Sequence, residues 1–146
     1  MAKEWTEQII FSKYHLNVCD RLLEYYAESP EKRFFIGALN ELARSATHLI
    51  NAILMQAHID EGVKITTNAS RNFKIFSSIA GKYIANPEVV LEIIKIKKDQ
   101  VNSPVGFDRG NELLFLIDGQ YKALRVDKLI TLSSALKNEL GELKLV

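Results

Sequence analysis

The sequence predicts a mainly α protein, an up-and-down bundle of four to five helices with a small β-hairpin before the last helix. Three observations lead there. Apolar residues recur at three-four spacing in five separate segments. The segments are bounded by Ser-Pro, Asn, Asn-Pro and Gly, the residues that stop and start helices. Near the C-terminal end, two apolar runs flank Asp118-Gly119, a pair suited to a tight hairpin turn. No internal repeat, linker or low-complexity tract interrupts the 146 residues, so one domain over 1–146 is expected.

The first helix is expected from about Lys3 to Glu28. Trp5, Ile9, Leu16, Cys19, Leu23 and Tyr26 form one apolar stripe, and Phe11, Tyr14, Val18, Leu22 and Tyr25 a second beside it, which predicts a wide apolar face. Ser29 is expected to cap the next helix, with Pro30 in its first turn and Glu31 near its positive end. That second helix should run to about Asp60 and end at Gly62. After the short connection "VKITTN", Asn68 can cap a third helix through Phe73, Phe76, Ile79, Ala80, Tyr83 and Ile84. Asn86 and Pro87 start a fourth that reaches about Val101. The stretch "NSPVGFDRG" is dense in Pro and Gly and reads as a loop. The hairpin follows over 112–124, its Asp-Gly pair supplying the positive φ angles of a type I′ turn. A fifth helix from about Asp127 to Leu140 presents Leu129, Leu132, Leu136 and Leu140 to the core.

Composition limits function. At 47% apolar and 25% charged residues the chain can build a core, and its formal charge of +1 disfavours strong general binding to nucleic-acid backbone. Cys19 is the lone cysteine, which excludes an internal disulfide and a cysteine-based zinc site. Its neighbours Leu16 and Leu23 make it a buried core residue. The N-terminal "MAKEWTEQ" carries no apolar signal region and no apolar run is long enough to cross a bilayer, so a cytoplasmic protein is expected. Phosphate-binding and dinucleotide-binding glycine motifs are lacking, and so are two His four residues apart, so neither cofactor nor metal is expected.

The second helix carries the main functional signal. Phe35, Ala38, Leu39, Leu42, Ala43, Ala46, Leu49, Ile50, Ile53 and Ala57 fall on one side; Asn40, Glu41, Arg44, Thr47, His48, Asn51, Met55 and His58 fall on the other. Between Asn40 and His58 the helix has no Lys, one acid and one Arg, whereas a solvated face usually favours Lys and Glu. Asn40, Arg44, Thr47, His48 and Asn51 are therefore the candidate interface or groove, with a plain solvated face as the alternative. Within it, Glu41 to Ser45 or Arg44 to His48 contacts are in reach at four-residue spacing. Arg44 with His48 is also the one catalytic pair that the sequence offers, the Arg to hold a phosphate and the His to move a proton. In the "SPVGFDRG" loop, Asp108 and Arg109 are the other candidates; against them stands a plain turn with Phe107 pinned into the bundle and a local Asp-Arg pair.

Taken together, "KYHLNVCDRLLEYY", "RFFIGALNELARSATHLINAIL" and "SPVGFDRGNELLFLIDGQYKALRVDKLITLSSALK" resemble the small prokaryotic, particularly archaeal, helical proteins of the HEPN class. The resemblance covers most of the chain and rests on layout and residue flavour. It implies a homodimer formed through long helices, in a group that spans toxin ribonucleases, antitoxin-paired proteins and catalytically silent members. The group's ribonucleases carry Arg, four to six residues and then His, commonly on a late helix. Here the near match is "RSATH", with three intervening residues on the second helix, and "VDKLITLSSALKNEL" has no His. The expectation is a non-catalytic interaction module with a protein or RNA partner. The alternatives are a metal-independent ribonuclease using Arg44 and His48, or a structural subunit of a larger complex.

Overall fold

The structure, a computed structural model, describes residues 4–143. Five α-helices are joined by short connections, with a three-stranded antiparallel sheet before the last: α1 (Glu4–Glu28), α2 (Lys32–Glu61), α3 (Ala69–Ile79), α4 (Pro87–Asn102), β1 (Gly106–Arg109), β2 (Glu112–Ile117), β3 (Gln120–Arg125) and α5 (Val126–Gly141). A 3₁₀ turn, Ala80–Lys82, follows α3. Helix, the 3₁₀ turn included, accounts for 72% of this region. Lys3, the expected start of the first helix, lies outside the described residues.

Helix α2 is the central element. It packs on α1, α3, α4 and α5, and α5 also touches α1 and α4. All ten residues expected on its apolar side are buried; so are Ser45, Ala52, Leu54 and Gln56, because neighbours close over more than one face. The α1–α2 contact is close because small polar residues meet there. The Ser12 hydroxyl donates to the Ser45 carbonyl at 2.8 Å and the Ser45 hydroxyl to the Ser12 carbonyl at 2.7 Å, both residues being fully buried. These bonds satisfy polar groups that would otherwise cost about 1–3 kcal/mol each inside the core. On α1, Leu16, Cys19, Leu23 and Tyr26 of the first predicted stripe are buried in the core, and from the second Leu22 packs against it. Phe11, Tyr14 and Tyr25 of the second stripe are exposed.

The helix ends obey local chemistry with some exceptions. Gly62 terminates α2 in the left-handed region at φ 67°, its N–H bonded to the His58 carbonyl. Asn68 caps α3 by accepting from the Arg71 N–H at 3.1 Å. Ser29 does not cap α2. The N-cap is Glu31, whose N–H donates to the Ser29 carbonyl at 2.7 Å, leaving Pro30 in the link and Lys32 as the first helical residue. Asn86 occupies the N-cap of α4 without a side-chain bond, so Pro87 in the first turn supplies the start signal there.

The sheet corrects the loop reading of "NSPVGFDRG". Gly106 to Arg109 pairs with Phe115 to Glu112, so the expected hairpin gains a third strand. The cause is Gly110: its φ of 61° permits the two-residue Gly110-Asn111 turn that folds β1 back on β2. The β2–β3 turn has positive φ at Asp118 (49°) and Gly119 (77°), as a type I′ turn requires. Leu113, Phe115 and Leu124 on the inner face join the core, while Ser103 at the end of α4 accepts from the Leu116 N–H at 2.8 Å. The Tyr26 hydroxyl reaches the Gly110 carbonyl at 2.6 Å and ties the end of α1 to the first turn.

Candidate functional site: a cationic groove along the second helix

The polar stripe of α2 lies between α1 and α4, and each flank adds residues that the stripe lacks. From α1, Gln8, Phe11, Tyr14 and His15 come alongside it. The His15 Nδ1 is 2.5 Å from a Glu41 carboxylate oxygen, and the other oxygen of Glu41 accepts from Arg44 at 2.6 Å. His48 Nδ1 is 2.6 Å from Gln8 Oε1. An amide oxygen accepts only, so Nδ1 is the protonated nitrogen of His48 and Nε2 is the open one. The His15 and His48 rings stack in parallel, with centroids 5.3 Å apart and planes 2° from parallel. Phe11 lies against His48 and Tyr14 against His15, giving a row of four rings.

From α4, Lys97 donates to Asn40 Oδ1 at 2.5 Å and to Gln100 Oε1 at 2.8 Å. Asn40, Ala43, Arg44, Thr47, His48 and Lys97 line a cavity of about 410 Å³. Its electrostatics follow from burial first and from neighbouring like charges second. Burial first, and the charge of His15 second, hold the pKa of His48 below the usual imidazole value of 6.5. Burial and then the Arg44 charge hold Lys97 below its ordinary 10.5.

Of the sequence candidates, Asn40, Arg44, Thr47 and His48 therefore meet at one cavity. Asn51 is half-buried on the same helix and does not line it. Neither anticipated contact within the stripe forms: Arg44 turns back to Glu41, and Ser45 bonds Ser12 on α1. His58 sits at the far end of the stripe and bonds the Val63 carbonyl at 2.7 Å. Asp108 and Arg109 stand exposed on the edge strand β1, away from the groove. Arg109 approaches Glu112 at 3.7 Å rather than Asp108, and Phe107 lies exposed against Tyr121 instead of being pinned into the bundle.

Sequence reasoning missed His15, Glu41 in its bridging role, and Lys97. Lys97 lies 57 residues from Asn40, and only the packing of α4 on α2 joins them. Cys19 is buried, its thiol pushed up to about 12 by burial and by the charges of Asp20 and Glu41. It is thus unsuited to act as a nucleophile at neutral pH. Among the described residues, no group of three or more His, Cys, Asp or Glu is placed to hold a metal, and no helix is long and apolar enough to cross a membrane. No family model, curated protein or solved structure matches the chain.

Proposed function

We propose that this protein is a HEPN-like, non-catalytic interaction module of the prokaryotic cytoplasm that pairs with a second copy and engages an RNA or toxin–antitoxin-type partner. One observation carries the reading. Ile10 and Tyr14 on α1 are 59% and 60% exposed, and this apolar strip runs through Phe11 and His15 into the polar stripe of α2. An apolar strip beside hydrogen-bonding side chains is the make-up of a surface that a partner covers: aromatic and aliphatic anchors with a polar rim. The test is light scattering of the wild type and of Tyr14→Glu, with circular dichroism to confirm folding. A dimeric wild type and a monomeric, folded variant are expected. A wild type that stays monomeric at about 100 μM, well above the Kd of a stable dimer, removes the pairing.

A second reading, a metal-independent ribonuclease, is favoured by the stacked imidazoles. His48 neutral as base and His15 held by Glu41 as acid would flank a phosphate gripped by Arg44, which is the division of roles that acid–base cleavage needs. The interaction reading expects purified protein to leave single-stranded RNA intact, with or without divalent metal. Cleavage that vanishes in His48→Ala would reverse the order of the two readings.

A further inference from the structure

We propose that the cavity between α2 and α4 binds a phosphate monoester, held by Arg44, Lys97 and Asn40. This deepens the interaction-module reading and rests on it, because it names the chemistry that the same face of α2 would take.

Lys97 is half-buried, and the two partners that hold its ammonium are neutral amide oxygens, from Asn40 and Gln100. Across the cavity stands Arg44. Its partner Glu41 gives its second oxygen to His15, on the α1 side. Two cations thus face one cavity, and among the described residues the only carboxylate bonded to either is shared with a third cationic or hydrogen-bonding group. Two cations across one cavity repel, the Arg44 charge adding to burial, the larger cause, in lowering the Lys97 pKa, and an anion between the charges relieves that repulsion.

Hydrogen-bond inventory points the same way. An ammonium has three N–H donors, and Lys97 uses two; a guanidinium has five, and one Nη1 contact to Glu41 leaves several free. Asn40 accepts through Oδ1, so its amide N–H donors remain. Thr47 is already committed, its hydroxyl donating to the Ala43 carbonyl at 2.9 Å, and adds shape rather than a donor. His48 contributes through Nε2, an acceptor when neutral and a donor when protonated. The free groups are therefore all or nearly all donors, which suits an acceptor-only ligand. A monoester's three non-bridging oxygens offer these donors more acceptors than the two of a phosphodiester do. The volume of about 410 Å³ falls in the range of small-ligand clefts, so an organic body can accompany the phosphate. A free mononucleotide-sized monoester and the terminal phosphate of an RNA strand carry this same group.

Isothermal titration calorimetry of the full chain with inorganic phosphate, in a chloride buffer, is the first test. Saturable binding near one per chain is expected, weakened at least about tenfold in Lys97→Gln and in Arg44→Gln, a loss of about 1.4 kcal/mol. Lys128→Gln on α5, where the lysine pairs with Glu92 at 3.0 Å, should bind as the wild type does. Circular dichroism checks each variant, and Lys97→Arg, which keeps the charge, should retain binding. Two further arms identify the source: adenosine monophosphate against adenosine, and 5′-phosphorylated against 5′-hydroxyl oligoribonucleotide. A preference for the phosphorylated member of either pair supports the site and says which source it takes. No saturable heat up to about 10 mM phosphate, where a Kd of 1 mM would be evident, overturns it. Equal weakening in Lys128→Gln, or equal binding of phosphorylated and unphosphorylated probes, does the same. Light scattering of the same samples reports pairing separately, so a monomer that binds phosphate refutes only the pairing, and a dimer that does not refutes only the site.

Discussion

At the scale of single residues, the molecule places small polar side chains where two helices come closest. Ser12 and Ser45 each give a hydroxyl proton to the other's backbone carbonyl, so the α1–α2 contact is both tight and hydrogen-bonded. Ser45→Ala keeps the space and loses one bond, and should cost about 1 kcal/mol in urea unfolding. Ser45→Leu adds three carbons at a fully buried position and should cost about 3 kcal/mol, since overpacking forces the helices apart. Equal effects of the two changes would mean that the contact is looser than its geometry indicates. His48 supplies a pH dependence. Its pKa when folded lies below 6.5, so the folded chain takes up its proton less readily than the unfolded one. Its neutral form therefore contributes fully above about pH 6.5, and that contribution is lost as the pH falls from there toward the lower, folded pKa. Thermal melts of the wild type and His48→Gln from about pH 8 to pH 5 should converge as the pH falls; parallel curves would show that His48 is not charged against a penalty.

At the scale of elements, helices were legible in the sequence and strand β1 was not, for physical reasons. A helix with one buried face repeats its apolar residues for four or more turns, and α2, α4 and α5 begin and end within two residues of where that repeat predicts. Strand β1 is four residues long, with Gly, Asp and Arg in three of its positions, too short and too polar to show alternation. Its only signal was Gly110-Asn111, a turn pair lying outside the strand. The second stripe of α1 misled in the opposite way. Apolar residues on a helix show what can be buried, but Phe11, Tyr14 and Tyr25 touch single rings beside them and stay exposed rather than entering the core. Turn chemistry, by contrast, is local and decisive. Gly119 has φ 77° and a Cβ there meets nothing within 4 Å, so Gly119→Val tests chiefly the backbone. It should lower stability by about 1–2 kcal/mol, because a β-branched residue resists the left-handed region. Gly62→Ala at the end of α2, also at positive φ in open space, should cost about 1 kcal/mol. A neutral result at either position, by thermal melt, would mean that the chain reroutes its turn.

At the scale of the whole molecule, half of the site was legible because half of it lies on one helix. Asn40, Arg44, Thr47 and His48 could be grouped by 100° steps, whereas His15 and Lys97 join them only because α1 and α4 flank α2. The proposed pairing is where this placement has its largest consequence. In the single chain the Arg44 side chain is 60% exposed and its pairing with Glu41 is an i,i+3 surface contact of little worth, so Arg44→Glu should leave the bundle folded. If a second copy covers this face, the same change puts a new carboxylate beside Glu41 in a buried seam, facing whatever Arg44 met across it. The cost on association should then be on the order of 2–5 kcal/mol, which weakens a dimer by about thirtyfold or more. Light scattering at matched concentrations should show the variant as a monomer of unchanged helix content. An equally dimeric variant would confine the seam to the α1 strip of Ile10 and Tyr14 and leave the groove of α2 outside it.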